Sequence, residues 1–132
     1  MSRGRRSAPL ALAGVFAASG VVHLVRPQSF EPIMPRLIPE QGHRALIYLS
    51  GVAELVCAVG LVRRTRWASA ASTALLVAVF PANVQMALDA GSGRHQGGPM
   101  DKPALAWGRL PVQLPMLWAA RQARPIADPT AT

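Results

Sequence analysis

Residues 45–62, ALIYLSGVAELVCAVGLV, carry a single charge in eighteen positions, and that charge, Glu54, sits near the middle. As an α-helix rising about 1.5 Å per residue, the stretch runs roughly 27 Å, enough to cross the hydrocarbon core of a bilayer. A lone acid at that depth costs on the order of 2.5 to 3.5 kcal/mol on insertion scales, so it must face protein and find a partner. Ser50, Gly51, Cys57 and Ala58 lie one turn away and are all small. The face that carries Glu54 therefore lets neighbouring backbones come close, and it reads as an inward face.

Three more apolar stretches accompany this one in a chain of 132 residues that is 51% hydrophobic and only 15% charged. The pattern predicts an all-α integral membrane four-helix bundle, one domain over residues 1–132, with transmembrane helices at about 8–25, 45–62, 67–88 and 103–120. Polar tails at 1–7 and 121–132 are expected to be mobile. The net charge of +8 does not point to nucleic acid, because the basic residues gather at the ends of apolar runs with few aromatics among them. Topology and anionic headgroups of the lipid bilayer account for them. Cys57 is the one cysteine, which excludes an intrachain disulfide and a Cys-x-x-Cys redox pair.

Arg3, Arg5 and Arg6 precede the first run and, with Ala17, Ala18 and Ser19, imitate a signal peptide; apolar character continues through Gly20, Val21 and Val22, as a retained helix requires. Residues 28–44, QSFEPIMPRLIPEQGHR, hold three prolines and cannot form one helix. Residues 27–44 are expected to be a broken, amphipathic loop at the membrane surface. Residues 63–66, RRTR, make a tight turn between antiparallel neighbours, and Trp67 opens the third span where an aromatic belt would lie. Pro81 predicts a kink between Val77 and Pro81. Residues 89–102 are Gly-rich and polar, and read as a mobile loop. The fourth span is the least apolar, holding Arg109, Gln113 and two internal prolines.

Eight basic residues (Arg3, Arg5, Arg6, Arg63, Arg64, Arg66, Arg121, Arg124) fall on one side of this topology and five (Arg26, Arg36, Arg44, Arg94, Lys102) on the other. Both termini are therefore expected in the cytoplasm, with the chain in the inner membrane. Counted from the outer ends of the spans, His23, Asn83, Arg109 and Glu54 lie at depths of roughly 4, 8, 8 and 14 Å, with Gln113 at the level of Glu54. These five residues predict a polar cavity in the outer leaflet, covered by the loop 27–44. Glu54 and Arg109 are expected to face each other, either as a structural ion pair or as a site where Arg109 holds an anionic or quinone-like head group and Glu54 exchanges protons. His23 is read as bonded to a headgroup or the loop. Asn83 and Gln113 are read as ties between helices, Asn83 also meeting carbonyls released by Pro81.

Other chemistries find little support. His23, His43 and His95 lie in separate segments without ligand spacing, so no metal is predicted. No Ser/His/Asp pattern can be placed, and GSGRHQGG lacks the strand and helix of a phosphate loop.

His23 with Pro27 and Phe30, Ile33-Met34-Pro35, Ser50-Gly51 with Glu54 and Gly60, Phe80-Pro81-Ala82-Asn83 with Met86, and Arg109-Leu110-Pro111 with Gln113 together resemble the DoxX-like family of small four-helix membrane proteins. The resemblance covers residues 23–113. It implies a multi-pass bacterial membrane protein; some members are named for a small subunit of a thiosulfate:quinone oxidoreductase, and others are linked to membrane redox or thiol-stress assemblies. The lone Cys57 departs from relatives that use membrane cysteine pairs. The expectation is an accessory subunit without catalytic activity of its own, working with a redox protein partner and compatible with homo-oligomers. No cofactor is predicted, though the cavity accommodates a quinone or lipid-like molecule. The alternative is a stand-alone proton-coupled carrier or membrane enzyme that uses Glu54.

Overall fold

The computed structural model describes residues 3–92 and 101–125. Four long helices dominate: α1 (Arg3–Val25), α2 (Glu40–Val62), α3 (Ala68–Asp89) and α4 (Pro103–Gln122), with no strand among the described residues. Three of them are long and apolar enough to cross a membrane, over Ser7–Val25, Glu40–Val62 and Ala68–Asp89. The sequence led us to expect four such spans. α4 is present as a helix but does not reach the same apolar character, since Arg109, Gln113 and its prolines dilute the run.

Helix limits differ from expectation mainly at the starts. α1 begins at Arg3, so the basic stretch taken for a mobile tail is helical from that residue on, through Pro9. α2 begins five residues early, at Glu40, directly after Pro39, whose fixed φ suits the entry to a helix and whose follower places an acid in the first turn. α4 runs to Gln122, two residues into the expected tail. Residues 126–132 of that tail and residues 93–100 of the expected polar loop lie outside the described residues.

Each helix packs on two neighbours: α1 on α2 and α4, and α3 on α2 and α4. The α1/α2 contact is the most extensive, and glycine is the reason. A Cβ built on Gly20 would lie 2.8 Å from the Gly51 carbonyl oxygen, and one on Gly51 would lie 2.7 Å from His23 Cβ. Only glycine fits at these two positions. Two apolar clusters fill the bundle. One holds Leu12, Phe16, Cys57, Leu61, Leu76 and Ala120, and the other holds Ile33, Met86, Ala87 and Ala106.

The turn between α2 and α3 is as short as its sequence implied. Arg64 takes φ 54°, and the amides of Thr65 and Arg64 return to the carbonyls of Gly60 (3.0 Å) and Leu61 (3.3 Å), which closes the end of α2. Trp67 lays its ring over Gly60, where an added Cβ would meet it at 2.5 Å, so this tryptophan packs inward as well as marking the helix entrance.

Residues 26–39 form a strap across one end. Prolines break it into two single 3₁₀ turns, Pro27–Ser29 and Glu31–Ile33. Ile33 is buried there, and Arg36 reaches Asp89 at the end of α3 at 2.6 Å. Asp89 is itself buried and also accepts from Gln85 Nε2 at 2.9 Å. Arg44 pairs with Glu31 at 3.0 Å.

Candidate functional site

Beneath the strap, between the two apolar clusters, lies a cavity of about 270 Å³. All five polar residues singled out from the sequence line it: His23 from α1, Glu54 from α2, Asn83 from α3, Arg109 and Gln113 from α4. The strap contributes Phe30, Ile33 and Met34 to its wall. Most of the lining is apolar, so the polar groups stand out from hydrocarbon surroundings, the usual layout of a small-molecule site.

Glu54 is 7% exposed, and its close partners both come from α1. Ser19 Oγ donates to Glu54 Oε1 at 3.0 Å, and His23 Nδ1 lies 3.2 Å from Oε2. His23 therefore occupies the place that sequence reasoning assigned to Arg109, and Ser19 is a member of the site that it missed. The helical geometry explains the pairing. Ser19 and His23 are one turn apart on one face of α1, and the Gly20/Gly51 crossing presses that face onto the face of α2 that carries Glu54. The readable signal was the pair of small-residue sites, Ser19-Gly20 and Ser50-Gly51, each beside a polar residue one turn on.

The protonation pattern follows from the acceptors. His23 Nδ1 is 2.8 Å from the Ser19 carbonyl oxygen, which can only accept, so Nδ1 carries a hydrogen. That hydrogen is directed to the carbonyl; Glu54 Oε2 thus makes no hydrogen bond within the protein although the imidazole is beside it. The ring stacks on Phe30 with centroids 3.7 Å apart, which fixes its plane and ties α1 to the strap. Ser19, His23 and Glu54 do not form a nucleophilic triad. In such a triad the serine and the acid meet opposite nitrogens of the imidazole, whereas here both approach Nδ1, and the serine hydrogen is given to the acid.

On the opposite wall the carboxamides form a chain. Asn83 Nδ2 donates to Gln113 Oε1 at 3.2 Å, and Gln113 Nε2 donates to the Leu76 carbonyl. The residue that reaches the α3 backbone near Pro81 is thus Gln113, not Asn83 as expected, and the pair joins α3 to α4. Interhelical bonds of this kind contribute about 0.6 to 2 kcal/mol each to association in hydrocarbon. Arg109, one turn from Gln113, completes the wall from a more exposed position.

No group of three or more His, Cys, Asp or Glu side chains suited to a metal occurs among the described residues. Cys57 is buried in the apolar cluster below the cavity. No curated protein and no solved structure matches the chain. A family model matches residues 12–124, a span that takes in α1 from Leu12 on, the whole of α2, α3 and α4 and every residue of the cavity, and the protein belongs to that family, described as Domain of unknown function (DUF8561).

Proposed function

We propose that this is a multi-pass inner-membrane protein of DoxX type, a four-helix bundle in which α4 is the fourth span, acting as an accessory subunit of a membrane redox assembly. Its cavity binds a quinone-like or lipid-like molecule. The observation that carries this reading is the chamber itself: four helices bring an acid, an imidazole, a guanidinium and two carboxamides to one apolar-walled space. Polar groups at such depth are expensive, and a polar chamber is the kind of feature that a ligand justifies. The resemblance over residues 23–113 supplies the redox partner, and both termini are cytoplasmic by the distribution of arginines.

A second reading draws on one specific feature. Glu54 Oε2 is buried at the cavity wall without a hydrogen bond, which leaves an acceptor there for a donor group of a substrate. In this reading the protein is a small proton-coupled carrier or membrane enzyme.

Purification of the full chain from its native membrane separates the two. A stoichiometric redox protein that stays bound through two chromatographic steps is expected. Purified protein that by itself moves protons or substrate in liposomes favours the second reading and contradicts the first. Orientation is checked separately in a Cys57→Ala background. Thr65→Cys is expected to resist an impermeant thiol reagent in intact cells and Ser92→Cys to react; the reverse pattern inverts the topology.

A further inference from the structure

A second, larger cavity of about 730 Å³ lies on the outside of the strap, between it and the start of α2. Its character is opposite to that of the inner chamber. Charged side chains of both signs line it, Glu31 and Glu40 with Arg36 and Arg44, and the two arginine side chains are each 61% exposed. Their ion pairs with Asp89 and Glu31 engage part of each guanidinium, which has five donors to share. Met34 lines both cavities. An unbranched thioether with three rotatable bonds is the side chain best able to give way between two spaces.

From this arrangement we infer that the two cavities form one elongated site for a zwitterionic single-chain amphiphile, whose head lies among the charges outside the strap and whose tail passes Met34 into the chamber. The mixed signs outside select a head carrying both charges over a purely anionic or cationic one. The apolar lining inside selects hydrocarbon. The chamber is short: an engineered apolar cavity of about 150 Å³ takes benzene, so one of about 270 Å³ takes a tail less than about twice that size. This inference rests on the reading of the chamber as a ligand site.

The test uses the full chain in nanodiscs of phosphatidylglycerol, with protein-free nanodiscs as the reference. The probes are octylphosphocholine, phosphocholine, octanol and octyl sulfate, each below the concentration at which it forms micelles. Transfer from water is worth roughly fourfold per buried methylene, so octylphosphocholine is expected to bind at least about tenfold tighter than phosphocholine. It is also expected to bind more tightly than octanol and octyl sulfate. Met34→Trp closes the passage and Ala82→Leu narrows the chamber from α3; each is expected to remove the advantage of the tail, and the second stands in if the first fails to fold. Octanol binding as well as octylphosphocholine overturns the inference while leaving the chamber a ligand site. Octyl sulfate binding more tightly overturns the head assignment, and an unchanged affinity in both folded variants overturns the passage. Binding of none of the probes ends this inference. Failure of a quinone analogue such as decylubiquinone as well removes the ligand-binding role of the chamber.

Discussion

Replacing His23 with leucine is expected to destabilise the protein by about 3 kcal/mol or more, measured by denaturant unfolding in detergent. The magnitude comes from what is left behind. Glu54 is buried, Ser19 bonds only its Oε1, and the His23 ring at 3.2 Å is the polar group that stands beside Oε2. Removing one partner of a buried pair strands the other in a low-dielectric setting, which costs more than the pair contributes when intact. The double substitution His23→Leu with Glu54→Leu is therefore expected to recover part of the loss, because two apolar side chains leave no buried polar group without a partner. The same cycle run on Glu54 and Arg109 is expected to give a smaller coupling, since the close contacts of Glu54 are to Ser19 and His23. Strict additivity in the His23 cycle would mean that the two side chains do not interact.

Gly51→Ala is expected to cost about 1 to 3 kcal/mol, the range for overpacking a well-fitted contact. An added methyl at this position meets His23 Cβ at 2.7 Å and the Gly20 carbonyl oxygen at 3.0 Å, and neither is the free end of a flexible chain. α1 and α2 must separate to admit it, and His23 moves away from Glu54 with α1. Gly14→Ala is the control. Nothing lies within 4 Å of a Cβ there, so the substitution should be neutral or slightly stabilising through helix propensity. Equal melting temperatures for the two variants would contradict the close crossing.

The helices were legible because their apolar runs are long and their breaks are marked by proline and charge. The strap was legible because Pro32, Pro35 and Pro39 fall every three to four residues and remove the amides that a helix would need there, but its length was overestimated, since residues 40–44 belong to α2. The five polar residues of the chamber could be found because a polar group within an apolar run is conspicuous. Their partners could not be found as readily. Counting along the chain yields a depth for each residue but not the rotation of its helix, and the rotation of α1 is set by the meeting of Gly20 and Gly51. Depth itself was misjudged. His23 was placed roughly 10 Å above Glu54 by assuming that α1 and α2 end in one plane. α2 extends outward to Glu40, the glycines fix a different register, and a glutamate side chain spans what remains. Charge also misled. Opposite formal charges favoured Arg109 as the partner of Glu54, whereas a serine and a histidine one turn apart supply the contacts.

The central claim, that the acid of α2 is held against α1 and kept from lipid, is tested most directly by solid-state NMR of the full chain in bilayers, with Glu54 Cδ and His23 Nδ1 isotopically labelled. Magnetisation transfer between the two labels is expected, matching an oxygen-to-nitrogen distance of 3.2 Å. Absence of that transfer, with Glu54 exchanging magnetisation with acyl-chain protons instead, would contradict the account.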